Sequence, residues 1–195
     1  MEPKKKPDLI RERPMTYEDY AALPDEYGRF ELVDGVLEAM SPAPTPLHQL
    51  VSFEIQRTLA DSCLSEYLIV FAPIDVVLSQ KEVRQPDLIM IHRSRLHILS
   101  KRAVTGPPDL VVEILSDWSI RRDKVKKSKA YARFGIPEYW IVDPANGSLE
   151  QYVLTEDRYE LADVFTGDEP VRSDKLPCVG FTMQSIMSRI PELPE

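Results

Sequence analysis

No stretch of this chain holds a glycine-rich phosphate loop, so an enzyme working on a small phosphorylated substrate finds no motif here. No apolar run approaches the roughly 20 residues that a membrane-spanning helix needs. The segment MEPKKKPDLIRERP has no hydrophobic stretch that could serve as a secretory signal, and the expectation is a cytoplasmic protein. Cysteine is limited to Cys63 and Cys178. They lack CxxC spacing and read as reduced thiols ahead of a disulfide. The three histidines, His48, His92 and His97, combine with those cysteines in no zinc spacing. No internal repeat is present.

An excess of positive charge is also missing. The formal net charge of -8 argues against a generic nucleic-acid coat protein. It leaves a nuclease open, because phosphate contact depends on local basic density and a catalytic metal supplies further positive charge. At 195 residues with 43% hydrophobic content, the chain has enough material for one domain with a sizeable core. Residues 1–14, polar and carrying Lys4, Lys5 and Lys6, read as a mobile arm, and 15–195 as a single domain.

What is present starts with a short helix over 16–23, with Thr16 as its N-cap. Residues 29–40 alternate on both sides of Asp34-Gly35, a dipeptide suited to the two positive-φ positions of a hairpin turn. Glu31 shares a strand face with Val33 and points toward the core side. After the connector SPAPTP, Leu47, Leu50, Val51, Ile55, Thr58 and Leu59 form a helical stripe. Strands are expected at 67–71 and 74–78, then at 85–91, where Asp87, Ile89 and Ile91 share a face. Further strands follow at 138–143, 149–154 and 159–165, and a terminal helix at 182–190. This order predicts an α/β (α+β mixed) fold, a central mixed β-sheet flanked by helices.

The centre of the chain is Asp109 to Asp143: a buried strand, a basic helix and a second buried strand. The first strand, DLVVEIL, is nearly continuous in branched apolar residues, the mark of burial on both faces. Glu113 sits in its middle, where a carboxylate needs a cation or several donors to stay charged. The helix is expected from about 118 to Gly135, a residue suited to the left-handed C′ position. It carries seven bases, including Arg121, Arg122, Lys124 and Lys126, against the single acid Asp123. Helical spacing places Ile120, Asp123/Lys124, Lys127, Tyr131 and Phe134 on the sheet-facing stripe. Lys127 therefore points toward the sheet that bears Glu113, whereas Lys124, Lys126 and Lys129 diverge from that stripe or lie a turn away and are better placed for phosphate contact from solvent. The basic cluster also reads as a solvated helix face.

Two strand-borne acids, Asp87 and Glu113, offer the hard oxygen ligands that suit Mg²⁺ or Mn²⁺. Such a metal lowers the pKa of water and stabilises charge on phosphorus oxygens, and a lysine beside it adds to that stabilisation. The plain alternative is a buried salt bridge between Glu113 and Lys127. His48 and Gln85 are second-tier candidates: His48 as a cap or a site-lining residue, Gln85 because it shares the strand face of Asp87. Asp75 reads as structural, and Tyr131 and Trp140 as core aromatics.

Taken jointly, Pro86-Asp87, Glu113-Ile-Leu115, Arg122-Asp123, Lys127, Tyr131 and Glu138-Tyr139-Trp140-Ile-Val-Asp143 resemble the Uma-two family of restriction-endonuclease-like proteins, within the PD-(D/E)XK nuclease superfamily. Glu31-Leu-Val-Asp-Gly35, the connector before His48 and the strand at 74–78 extend the likeness across most of 16–165. The resemblance implies a restriction-endonuclease-like fold, Mg²⁺-dependent (or Mn²⁺-dependent) cleavage of DNA, and a homodimer. It implies Asp87 and Glu113 as metal ligands and Glu31 as a further catalytic acid. The superfamily pattern places a lysine two residues after Glu113, where this chain has Leu115, and Lys127 is the replacement candidate. The expected function is a metal-dependent DNA endonuclease using Glu31, Asp87, Glu113 and Lys127, with Arg121, Arg122, Lys124 and Lys126 on the DNA backbone. The alternative is a catalytically silent DNA-binding or scaffold protein that keeps the fold.

Overall fold

The computed structural model describes residues 13–24, 28–40, 43–116 and 122–194. The arm assigned to 1–14 lies outside these residues except for Arg13 and Pro14, as do the expected start of the basic helix and Arg121.

Local chemistry explains the first elements. The helix α1 (Tyr17–Ala21) starts at Thr16, whose hydroxyl accepts from the Asp19 amide while the Asp19 side chain caps the Thr16 amide, a reciprocal capping box. The strands β1 (Phe30–Val33) and β2 (Val36–Ala39) pair in register around Asp34 and Gly35. Both turn residues have positive φ, 48° and 81°, as the dipeptide predicts. Helix α2 (Pro46–Cys63) has Thr45 as N-cap and proline in its first turn, where a missing amide hydrogen costs nothing.

Beyond α2 come β3 (Tyr67–Phe71), β4 (Val76–Ser79), β5 (Glu82–Arg84) and β6 (Leu88–His92). A 3-10 segment, Arg93–Ile98, leads to β7 (Val104–Thr105) and β8 (Leu110–Ile114). Helix α3 (Ser128–Arg133) then connects to β9 (Glu138–Asp143), β10 (Ser148–Thr155) and β11 (Arg158–Thr166). Near the end of the chain lies α4 (Met183–Met187). The short strand β5 was not expected from the sequence, and it carries the buried Glu82 and Arg84.

The larger sheet has the order β11-β10-β9-β8-β6-β3, and only its β8–β9 pair is parallel. That parallel pair is what the basic helix spans, since parallel neighbours need a crossover connection. A second sheet, β2-β1-β5-β4-β7, brings the hairpin at 30–39 beside β5. The period-2 alternation of β6 and β8 divides two cores. One face buries Leu88, Met90, Leu110 and Val112 against Val51, Ile55 and Leu59 of α2. The other buries Ile89, Ile91, Val111 and Leu115 with Tyr131 and Tyr139. Each such aliphatic side chain contributes about 1.5–3 kcal/mol when fully buried.

Two expectations are corrected. Cys63 and Cys178 are disulfide-bonded, not reduced thiols. Cys63 is the last residue of the buried stripe of α2, and the segment after β11 packs onto it, a contact between positions 115 residues apart that no local spacing reveals. The described part of the basic segment is also not one α-helix: Arg122–Lys127 is π-helical and Ser128–Arg133 is α-helical. π-turns place the i→i+5 bond in an α-helix and recur at functional sites. Gly135 does occupy the left-handed position, φ 74°, and the Ile136 amide reaches back to the Tyr131 carbonyl at 3.1 Å, closing the helix as a C′ glycine does.

A candidate active site

Register brings the two strand acids together. β6 and β8 pair antiparallel with Leu88 opposite Val112, and one further step along the ladder sets Asp87 across from Glu113. Residues directly opposite in an antiparallel pair share a face. Both line a cavity of ≈ 150 Å³ together with His48, Gln85, Asp123 and Lys127.

Lys127 enters this cavity from the π-turn. Its ammonium lies 2.7 Å from Glu113 Oε1, 3.4 Å from Asp123 Oδ1 and 3.7 Å from Glu31 Oε1, and the side chain is 2% exposed. Asp123, Lys127 and Tyr131 stand four residues apart, so one face of the segment carries acid, base and phenol in sequence. The Tyr131 hydroxyl donates to Glu113 Oε1 at 2.7 Å, and the Tyr139 hydroxyl donates to the Asp123 carbonyl at 3.1 Å, an acceptor near the start of the segment.

Glu31, fully buried on β1, stands behind Lys127 and is not among the cavity-lining residues. Its Oε1 accepts from the Gln85 amide at 3.0 Å and its Oε2 from Arg84 at 3.3 Å. Arg84 in turn binds Glu82 at 2.6 Å. Buried charges are tolerated only in such paired sets, because an unpaired one costs several kcal/mol.

The carboxylates differ in their ionisation. Burial works against the charge of Asp87, but the His48 contact (Nε2 to Oδ2, 3.2 Å), the positive charge of Lys127 and the Ile114 amide at 2.8 Å outweigh it. Its carboxyl is held below the usual range. Glu113 is pushed up to about 8 by burial, opposed by Lys127 and reinforced by the negative charges of Asp123 and Asp87. Burial lowers the proton affinity of Lys127, and four surrounding acids, Glu113 first, more than reverse that, so it stays protonated.

Among the described residues, no group of three His, Cys, Asp or Glu side chains is arranged to hold a metal ion. The fitting donors are the pair Asp87 and Glu113. Asp87 Oδ2 and Glu113 Oε1 take the hydrogen bonds already named. Asp87 Oδ1 and Glu113 Oε2 accept none among the described residues. Two hard oxygens from two carboxylates fit a cation such as Mg²⁺, which binds through one or two carboxylates and keeps several waters.

The remaining candidates are dispersed around this centre. His48, in the first turn of α2, is buried, and its Nδ1 has no hydrogen-bond partner among the described residues. Gln85 accepts from Arg29 at 2.8 Å and donates to Asp75 at 2.9 Å, at the cavity rim. Lys124 and Lys126 face outward but pair within the chain, with Glu150 at 2.6 Å and Glu38 at 3.0 Å. Arg121 and the side chain of Arg122 lie outside the description. Sequence reading missed three contributors. Asp123 stood on the inward stripe and its signal was there to use; the phenol of Tyr131 was read as core alone; Arg84 gave no signal without β5.

The family model "Uma2: Putative restriction endonuclease" matches residues 17–184. Among solved structures, the chain resembles one from Anabaena variabilis ATCC 29413 described as "a putative nuclease belonging to DUF820", with a TM-score of 0.72 and 17% identity. The match covers 90% of this chain and 98% of that one, a likeness of fold. No curated protein matches the chain.

Proposed function

Because the chain belongs to the Uma2 family, we propose that it is a metal-dependent DNA endonuclease, working as a homodimer of a single domain spanning 15–195. The observation that carries the reading is the buried Lys127 ammonium, 2.7 Å from Glu113 in the cavity that Asp87 also lines.

Asp87 and Glu113 would hold Mg²⁺ or Mn²⁺ through Asp87 Oδ1 and Glu113 Oε2, which accept no hydrogen bond among the described residues. When bound, the cation supplies Lewis acidity to the scissile phosphate and eases deprotonation of water. Lys127 adds a fixed positive charge that stabilises the charge growing on the phosphate oxygens. It thus takes the place of the lysine that position 115 lacks. Leu115 is itself buried in the apolar core.

Glu31 and Asp123 are positioning residues in this reading. They hold Lys127 in place and keep it protonated, while Arg84 compensates Glu31. His48 orients Asp87, and Tyr131 orients Glu113. Arg121, Arg122, Lys124 and Lys126 would contact DNA phosphates, with Lys124 and Lys126 exchanging their carboxylate partners for the backbone.

The test is cleavage of closed circular DNA, single-stranded and duplex, with Mg²⁺, with Mn²⁺ and with chelator. Circular substrate isolates endonuclease action from attack at ends. Metal-dependent linear product from the parent, lost in Asp87→Ala, is expected. A second reading, a catalytically silent DNA-binding protein, takes support from the short Lys127–Glu113 contact, which satisfies both charges without a metal. Intact circles under every metal condition, with DNA still bound, would select it.

A further inference from the structure

Two large aromatic side chains stand exposed beside the candidate site. Phe53, on the outer side of α2, is 56% exposed, and Phe71, the last residue of β3, is 53% exposed. Neither joins a hydrophobic core. They line one depression of ≈ 160 Å³ with Gln49, Ser52 and Gln56, and His48 and Asp87 belong to its wall. His48, Gln49, Ala72 and Asp87 also line the catalytic cavity. The aromatic depression and the cavity therefore adjoin at Asp87.

Among the described residues, three cations of the basic segment are already paired within the chain. A B-form footprint gains affinity by neutralising many phosphates with lysine and arginine. Here Lys124, Lys126 and Arg133 are each committed to an acid of the chain, Glu150, Glu38 and Asp34. The net charge is -8. Arg29, whose guanidinium is bound to the neutral Gln85 at the cavity rim, is a cation suited to one phosphate. Apart from Asp87 and His48, the depression offers two rings, amides and a hydroxyl. Every base presents a π-face to such rings whatever its identity, but only when it is released from its pair.

We propose that Phe53 and Phe71 form a stacking platform for unpaired bases next to the phosphate being cut, so that the substrate class is single-stranded or locally unpaired DNA. The proposal rests on the nuclease reading for the position of the phosphate. Aromatic stacking adds affinity for unpaired bases to the phosphate contacts of the basic flank, and it sets no base sequence.

The test measures binding apart from cleavage. The full chain is titrated in Ca²⁺ against a labelled single strand and a duplex of the same sequence, and a single strand containing 2-aminopurine reports stacking by quenching. The parent is expected to bind the single strand at least about tenfold tighter than the duplex. Phe53→Ala and Phe71→Ala are each expected to lose about tenfold on the single strand, on the scale of one base–aromatic contact. Phe71→Trp should retain affinity, and the double alanine variant should no longer quench. Both rings are more than half exposed, so the alanine variants keep the fold, which a thermal melt checks. Equal or tighter binding of duplex, or alanine variants that bind single strands like the parent, would overturn the proposal. Metal-dependent cleavage together with such unselective binding would leave the endonuclease reading standing alone. Quenching and single-strand preference without any cleavage would keep the platform and remove the nuclease.

Discussion

Replacing Lys127 by methionine keeps most of the side-chain volume and removes one buried positive charge. In the parent that charge lies 2.7 Å from Glu113 and within 4 Å of Asp123 and Glu31. Breaking a buried ion pair by removing one partner typically costs about 3–5 kcal/mol, because the remaining charge stays desolvated. Glu113 can escape part of that cost. Its carboxyl is already pushed up to about 8 with the lysine present, and without it the carboxyl binds a proton throughout the neutral range. The expected loss of stability is therefore at the low end, about 3 kcal/mol, read as a shift in the urea midpoint. The effect on cleavage is separate. Losing one preorganised charge aimed at the transition state lowers the rate by about 10²–10³-fold, measured at saturating Mn²⁺ and corrected for the folded fraction. Mn²⁺ affinity should hold or rise above the pH at which Glu113 ionises, because the site is then one unit more negative. A Lys127→Met protein that is destabilised yet cleaves like the parent, molecule for folded molecule, would refute the catalytic role and leave Lys127 as a buried partner of Glu113.

The other expectations follow from the same site and its supports. In the proposed site, metal binding displaces a proton from Glu113, so Mn²⁺ affinity by calorimetry should climb as pH rises toward about 8 and level off above it, with proton release shrinking over the same interval. In the metal-free protein the sign is opposite for stability: a raised carboxyl stabilises below its unfolded pKa, and that contribution is lost as pH rises through about 8; a flat melting profile from pH 6 to 9 in chelator would contradict the assignment. Gly35→Ala should lower stability by about 1–2 kcal/mol or more: Gly35 has φ 81° and an added Cβ would lie 2.6 Å from Pro14 Cβ; an unchanged melting temperature would show that the turn relaxes. Light scattering at micromolar concentration should give a dimer with or without DNA, and a monomer in both conditions would remove the homodimer.

Local patterning is legible before any fold is known because backbone sterics and burial act over a few residues. Asp34-Gly35 marked its hairpin by the positive φ that both positions need. Continuous branched residues marked β8 as covered on both faces, and spacing by four turned Lys127 inward. The same rules placed Asp87 on one face of its strand, with Ile89 and Ile91. They could not say which face of which neighbour it would meet. Only the antiparallel pairing of β6 with β8 sets Asp87 across from Glu113, and only the second sheet brings Glu31 and Arg84 behind Lys127. The Asp87–His48 contact spans 39 residues and the disulfide 115, distances over which periodicity carries no information. The π-turn at 122–127 likewise answers to its surroundings, where Lys127 must reach three carboxylates and Tyr139 must reach the Asp123 carbonyl. Side-chain direction is a local property of the chain, whereas the pairing of buried charges is decided by long-range packing, because a charge removed from water is stable only where the fold supplies its counterpart.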